Sequence, residues 1–276
     1  MLTSQIDLVT FTPDHLDGAV RLSREAGWPH RREDWAFALG LSAGFAAVED
    51  GRLAGTVMMT PYGDELAAIN LVIVERALRG RGLGRRLMRA ALDAAGERVC
   101  RLTATPEGVP LYEQLGFRKT GVIAQHQGVL GDVPLPLGPE WAGPQAEREV
   151  AALDRKAFGA DRSALIRALF AEARFASIRR AGSAPYAARR PFGRGEVAGP
   201  VIAASAADAR ALLQFLFAQR PGVFMRVDTP ADSGLGEWLA QLGLARVDDG
   251  IVMERGARRH DPAAHKIYAL ASQALG

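Results

Sequence analysis

The sequence predicts a mixed α/β fold built twice in succession, and three observations carry that expectation. First, GFAAVEDGRLAGTVMMT (44–60) is a pair of apolar strands joined at Asp50-Gly51, a strong local signal for a β-hairpin. Second, LAAINLVIVERALRGRGLGRRLMRAALDAAG (66–96) runs from an apolar strand through an arginine and glycine turn into an amphipathic helix. Third, EWLAQLGLARV (Glu237–Val247) can be laid over PLYEQLGFRKT (Pro110–Thr120), pairing Gln241 with Gln114, Leu242 with Leu115 and Gly243 with Gly116. Such an overlay points to a divergent internal duplication. Each half is expected to be a mixed, mainly antiparallel sheet flanked by helices.

In chain order, Ile6 to Phe11 reads as a strand, and Thr12 with Pro13 behind it starts a helix whose apolar stripe is Leu16, Ala19, Val20 and Ala26, with Gly27 as its stop. A second helix is expected from Arg32 to Leu41, with Trp35 and Leu39 on one face, and then the hairpin follows. Past the arginine and glycine turn, Leu83, Leu87, Ala91 and Leu92 form the inner face of a helix. A strand from Val99 to Thr105 precedes a helix opened by Pro110 and closed by Gly116, with another strand from Phe117. LGDVPLPLGPEWAGP (130–144) has no sustained period and reads as a linker. The expected division is therefore 1–128, a linker at 129–145, and 146–276. In the last part helices are expected from about Glu147, from Arg162 to Phe175 and from Ala207 to Ala218, with strands near Ala176 and Glu196.

Composition narrows the class of protein. With 34 Lys and Arg against 31 Asp and Glu, the net charge is only +3, and the two signs are interspersed without a basic block. Nearly all the positive charge is arginine, since Lys119, Lys156 and Lys266 are the lysines, so nucleic acid is not an expected partner. No apolar run approaches the roughly 18 residues that span a bilayer, and MLTSQIDLVTFTPDHL (1–16) does not read as a basic and then apolar signal sequence. A cytoplasmic protein without a membrane partner is the expectation, as monomer or homodimer. One cysteine, Cys100, rules out an internal disulfide framework and reads as a small core residue. The five histidines, His15, His30, His126, His260 and His265, lack paired ligand spacing, so no metal is expected.

The turn Arg79-Gly80-Arg81-Gly82-Leu83-Gly84-Arg85 has its own chemistry. A helix that starts after a buried strand presents unpaired N–H groups and the positive end of its dipole, and both favour phosphate. Glycines bare the backbone and arginines add charge, so a diphosphate suits this turn. A Walker P-loop is excluded because no lysine followed by Ser or Thr stands after the glycines, and G-x-G-x-G is not the dinucleotide fingerprint.

Arg79, Gly82 and Gly84 match the R/Q-x-x-G-x-G/A loop, and LYEQLGF (Leu111–Phe117) the downstream signature, of the GNAT superfamily of acetyltransferases, which the chain resembles over residues 5–125. The arrangement of halves is similar to tandem GNAT proteins whose N-terminal copy alone keeps the cofactor loop. The resemblance implies acetyl-CoA as cosubstrate and N-acetyl transfer to a primary amine, on a small molecule or an exposed protein site. It implies a diphosphate on Arg79, Gly80, Arg81, Gly82, Leu83, Gly84 and Arg85. The pantetheine arm would run along Leu71, Val72 and Val74 in a splayed gap between strands, with Thr105 near it. Tyr112 takes the position of the tyrosine that faces the coenzyme A sulfur and protonates the departing thiolate. Trp28 and Trp35 lie in the region that would border the acceptor, where they either contact a substrate or pack in the core.

Two departures from the family stand out: Glu75-Arg76 where proline is common after the central strand, and Thr105-Pro106 near a common asparagine. Asp64, Glu65 and His126 are candidates for the general base, although each reads more simply as a surface residue. In the second half GPVIA (199–203) leads into ASAADARALLQFLF without the loop, and Leu239 stands where Tyr112 does, so one cofactor site per chain is expected. That half would buttress the first or wall the acceptor cleft with loop residues such as Tyr186 and Arg190. The alternative is a catalytically idle coenzyme A sensor or partner-binding module.

Overall fold

The computed structural model describes residues 6–180, 182–257 and 264–276. Two compact units emerge, one of Met1–Leu102, Glu107–Arg118 and Met253–Ala257, the other of Thr103–Pro106, Lys119–Val252 and Arg258–Gly276. This division falls ten residues before the 128 expected from the sequence and gives the first unit a piece from near the C-terminus.

In the first unit, strands β1 (Ile6–Thr10), β2 (Ala43–Glu49), β3 (Arg52–Tyr62) and β4 (Leu66–Val74) pair antiparallel in that order, and β5 (Val99–Ala104) runs parallel to β4. The β2–β3 turn has Asp50 at φ 49° and Gly51 at φ 78°, the two left-handed residues of a tight hairpin. Helix α1 (Leu16–Glu25) packs on β3 and β4, α2 (Arg32–Leu39) packs on α1, and α3 (Leu83–Ala95) packs on β2, β3 and β4. α3 buries Leu83, Leu87, Met88, Ala91 and Ala95, a stripe at helical spacing. Helix α4 (Val109–Gln114) follows β5 with Pro110 in its first turn. Two details differ from expectation. α1 buries Leu22 and Ser23 along with Leu16 and Ala19 while Val20 and Ala26 stay half-buried, and the helix begins after a 3-10 turn at Pro13–His15. α2 ends at Leu39, where Gly40 caps it.

The second unit repeats this plan. Helices α5 (Glu147–Phe158) and α6 (Ser163–Glu172) precede the antiparallel pairs β8 (Arg174–Ser177) with β9 (Tyr186–Phe192) and β9 with β10 (Gly195–Ala203). Helix α7 (Ala206–Ala218) then leads to β11 (Phe224–Pro230), parallel to β10, and α8 (Gly236–Gln241) leads to β12 (Ala245–Arg255). β6 (Arg118–Val129) pairs antiparallel with β11, and β7 (Glu140–Ala142) pairs with β8. The stretch 129–145 is thus more than a linker, since Trp141 of β7 sits edge-on to Phe215, 4.9 Å between ring centres. α6 stops at Glu172, short of Phe175, which belongs to β8. β9 lies where the sequence suggests loop: Tyr186 and Arg190 are strand residues, buried at 0% and 3% exposure. They cannot wall a cleft as loop residues would. The Tyr186 hydroxyl instead donates to Asp154 Oδ2 at 2.6 Å, beside the Arg162 guanidinium that holds the same carboxylate.

The duplication is visible in hydrogen bonds. Gly116 (φ 87°) and Gly243 (φ 85°) end α4 and α8 in the same left-handed turn. Phe117 N–H bonds Tyr112 C=O at 3.0 Å, and Leu244 N–H bonds Leu239 C=O at 3.0 Å. The overlay of Tyr112 on Leu239 is therefore an overlay of helix C-caps.

A last strand, β13 (Lys266–Ala269), pairs antiparallel with β10 at Val201, Ile202 and Ala203. The chain behind it presses on β10 so closely that a Cβ at Gly199 would stand 1.8 Å from the Leu270 carbonyl oxygen. Gly199→Ala should therefore expel β13, at a cost on the order of 3 kcal/mol and a fall of roughly 6–12 °C in the unfolding midpoint. Gly27→Ala, at φ 76° with open space around it, should cost only the backbone strain, about 1 kcal/mol. Parallel thermal melts check the pair.

Candidate functional site

β4 carries the site, and its geometry follows from one irregularity. Against β3, Met58 faces Asn70 and Thr56 faces Ile73, so Leu71 and Val72 together oppose Val57. Two residues against one make a β-bulge. Leu71 adopts φ 49°, a conformation that costs a non-glycine residue about 1 kcal/mol. The bulge is held by Thr56, whose buried hydroxyl donates to the Leu71 carbonyl at 2.7 Å and so satisfies a group removed from the ladder.

On its other side, β4 pairs with β5 only at Leu66–Val99, Ala67–Cys100 and Ala68–Arg101. Beyond Ala68 the two parallel strands part, and among the described residues no strand pairs with the β4 backbone from the bulge to Val74 on that edge. Val72 and Val74 are half-buried there, and Leu71 is buried.

The chain then turns through Arg76–Leu78 into the glycine loop. Gly80 and Gly82 both sit at φ 78°, and a Cβ on either would meet nothing within 4 Å, so glycine is required for conformation and the surrounding space is open. No side chain caps α3, whose N-cap is Gly82. Its ladder starts with the Arg86 N–H on the Gly82 carbonyl at 3.1 Å, so the amides of Leu83, Gly84 and Arg85 precede it as donors. Arg79 and Arg81 are exposed beside this turn, and the Arg79 Nε donates to Val74 C=O at 3.2 Å, tying the loop to the strand end. Gly84 has a different reason to be glycine: a Cβ there would lie 3.2 Å from Leu111 Cδ2, so α3 and α4 meet closely. The Arg85 guanidinium also donates to Gln114 Oε1 on α4. Glu75, in place of the loop's usual neighbour, forms an ion pair with Arg52 at 2.7 Å and anchors the end of β4 to the start of β3.

That helix contact places Tyr112. It is 8% exposed, packs edge-on to Phe117 at 6.1 Å, and burial pushes its phenol up to about 12. Leu71, Val72, Val74, the loop from Arg79 to Arg85 and Tyr112 all belong to the first unit. Thr105 follows the end of β5, is exposed, and groups with the second unit. Trp35 is a core residue, fully buried, stacked on Phe11 at 5.8 Å, with its Nε1 donating to Ser23 Oγ at 2.9 Å. Trp28 is half-buried and tilts against His30 at 5.7 Å. Asp64 and Glu65 are exposed in the β3–β4 turn. His126 is not the surface residue its sequence context suggests: it is 2% exposed in β6 with Nδ1 on the Leu244 carbonyl at 3.0 Å. Cys100 is a core residue whose thiol burial raises. His260 lies outside the described residues. Asn70 is absent from the residues expected at the site, and its one signal in the sequence is a lone amide inside the apolar run LAAINLVIV.

In the second unit the same bulge recurs, with Gly199 and Pro200 together opposing Ala188. β10 meets β11 only at Glu196–Met225 and Val197–Arg226, so those strands part as well. There, however, β13 pairs with the freed edge of β10, the Leu270 N–H bonds the Asp228 carbonyl at 2.8 Å and Thr229 Oγ1 donates to Tyr268 C=O at 2.7 Å. The helix that follows caps itself, Ser205 Oγ accepting from Asp208 N–H at 3.1 Å.

Known proteins share this fold. The family model described as acetyltransferase (GNAT) family matches residues 9–117, and one described as acetyltransferase (GNAT) domain matches residues 150–269. The chain is 29% identical to the uncharacterized N-acetyltransferase YitH of Bacillus subtilis over 98% of each chain. It is 30% identical to the N-alpha-acetyltransferase RimI of Mycobacterium tuberculosis over 46% of this chain and 78% of the relative. A crystal structure of a putative acetyltransferase from Pyrococcus horikoshii superposes with a TM-score of 0.83 at 20% identity, covering 100% of this chain and 98% of the other. The chain belongs to the GNAT acetyltransferase family, with a GNAT domain in each half.

Tyr112 offers a direct check on the packing of α4. Because folding raises its pKa, the stability it contributes is intact below pH 10 and is lost as the pH climbs toward about 12. At about 1.4 kcal/mol per unit, the difference in unfolding free energy between wild type and Tyr112→Phe should shift against the wild type by roughly 3 kcal/mol across that window. Denaturant melts at stepped pH, with tyrosinate absorbance recorded alongside, measure it.

Proposed function

We propose that the protein is an acetyl-CoA-dependent N-acetyltransferase acting on a primary amine, with its one working site in the N-terminal half and a C-terminal half that has lost its own. The observation that carries this reading is the pairing, in one unit, of an uncapped glycine loop at the start of α3 with an unpaired stretch of β4 beside a bulge. Acetyl-CoA, when bound, supplies a thioester carbonyl activated for attack. A diphosphate suits the amides of Leu83, Gly84 and Arg85 and the guanidinium groups of Arg79, Arg81 and Arg85, while Gly80 and Gly82 leave room for its oxygens. The backbone N–H and C=O of Val72 and the N–H of Val74, whose carbonyl accepts from Arg79 Nε, suit the amides of a pantetheine arm. An N–H at the Leu71–Val72 bulge would stabilise negative charge growing on the acyl oxygen.

Tyr112 is the group for the departing sulfur. Its phenol, at about 12, keeps its proton at every physiological pH. It is a weaker acid than a thiol, whose reference pKa is about 8.5, so it acts by donating a hydrogen bond to the sulfur more than by giving the proton away. The second half supports the single-site reading by difference: Ser205 caps α7, β13 lies along β10, and Leu239 replaces the tyrosine.

Calorimetry with coenzyme A should give one site per chain. Replacing Arg79 and Arg81 by Ala should weaken binding on the order of tenfold or more. Tyr112→Phe should leave that affinity within about twofold while lowering kcat for thiol release from acetyl-CoA, against a panel of primary amines, on the order of 10²–10³-fold. Two sites per chain, or an unchanged kcat in Tyr112→Phe, would contradict the assignment. Tight coenzyme A binding with no turnover of any amine would leave a sensor.

A further inference from the structure

Asn70 is the last β4 residue before the bulge, and it is 5% exposed inside an otherwise apolar strand. Its side-chain nitrogen donates to Thr60 Oγ1 at 2.9 Å and to the Ala68 carbonyl at 3.3 Å. A carbonyl only accepts, so the bond to Ala68 fixes which end of the amide is nitrogen. Thr60, 1% exposed, is in turn held by Ser42, the two hydroxyl oxygens 2.6 Å apart. The chain Ser42–Thr60–Asn70 therefore locks the amide in one orientation, and the oxygen it leaves over, Oδ1, is buried without a hydrogen-bond partner.

Buried polar atoms are nearly always paired, and one that is held unpaired by neighbours that fix its direction is expected to meet a ligand. The position along the strand says which ligand. Ala68 is the last β4 residue paired with β5, and Leu71 begins the bulge, so Asn70 stands where the free edge of β4 opens. The matching position in the second unit, the residue before the Gly199–Pro200 bulge, is Ala198, buried and without a polar side chain. The unit whose edge is covered by its own strand has no such group.

We propose that Asn70 Oδ1 binds the acceptor, taking a hydrogen bond from the N–H of the incoming primary amine and holding it at the bulge. This rests on the reading that the free edge of β4 receives acetyl-CoA. A lone acceptor oxygen selects for a nitrogen that carries hydrogen, and Thr60 and Ser42 keep the amide from turning its own N–H groups toward the amine, where they would bind the lone pair that has to attack.

The test uses the full chain, coenzyme A calorimetry, and thiol release from acetyl-CoA with benzylamine, spermidine and an alanine-terminated peptide as acceptors. Asn70→Leu, similar in size but with no acceptor atom, should lower kcat/KM for the reacting amine by roughly tenfold or more while coenzyme A affinity is unchanged. Asn70→Asp keeps an acceptor oxygen but makes its strength depend on ionisation, the carboxylate being a stronger acceptor than the neutral carboxyl. Its kcat/KM profile should therefore gain a limb on the acid side, falling as pH drops through the new carboxyl pKa. A merely structural role would lower the melting temperature and coenzyme A affinity together and would not move the pH profile. If Asn70→Leu fails to fold, Asn70→Asp decides: a profile superposable on that of the wild type overturns the proposal. Unchanged amine kinetics in both variants, with coenzyme A bound normally, overturns this proposal alone. Wild-type protein that releases no thiol with any of the three amines also overturns it, and failure of the wild type to bind coenzyme A removes the functional reading beneath it.

Discussion

A parallel strand that loses its partner halfway along is the constraint on which the first unit turns. Backbone N–H and C=O groups inside a fold are almost always paired, and a sheet edge that opens next to the core normally has to be covered. β4 keeps three pairs with β5 and then parts from it, with a bulge at Leu71 that rotates the following residues. The strain at Leu71 is offset locally by the Thr56 hydroxyl on its carbonyl and by burial of the leucine side chain. The helix that follows begins with bare amides and no cap. An uncovered edge and an uncapped helix start, one after the other in the chain, are two costs of the same kind, and the proposed ligand, with a polar arm and a diphosphate, would answer both.

The second unit shows the same constraint met from within. Its bulge has the same count of residues and its parallel pair parts in the same way. There the chain supplies β13 for the open edge and Ser205 for the helix start. A serine cap is worth about 1 kcal/mol to a helix, and strand pairing satisfies several backbone groups at once. The C-terminal half thus gains stability at the places where the N-terminal half keeps donors available. In that half the edge of β10 is paired and the glycine loop is absent before α7.

Local signals were the ones legible in the sequence. Asp50-Gly51 specifies its hairpin because only certain residues tolerate two successive left-handed conformations, and the α3 stripe and the Gly116 and Gly243 stops follow from helical spacing and from φ near +86°. The glycine loop was readable for the same reason. What was not legible depends on partners distant in the chain. β9 looks like loop because Arg189, Arg190 and Pro191 break the apolar run, yet the arginines are neutralised or stacked within the fold, Arg189 by Glu196 and Arg190 over the Phe192 ring. His126 looked like a surface residue because nothing near it in sequence reveals that Leu244 supplies a carbonyl. Trp35 promised a ligand contact but fills the core, its one polar atom taken by Ser23. The bulge at Leu71 has no glycine or proline to announce it, and Asn70 draws attention only once the register is known.

Residue-resolved hydrogen exchange, with and without coenzyme A, tests the central claim most directly, because it reports on the backbone amides themselves. The account predicts that coenzyme A slows exchange at Leu71–Val74 of β4 and at Leu83–Arg85 of α3, while Val201–Ala203 of β10, already paired with β13, is unchanged. Protection that appears along β10, or none in β4 and α3 at saturating coenzyme A, would contradict it.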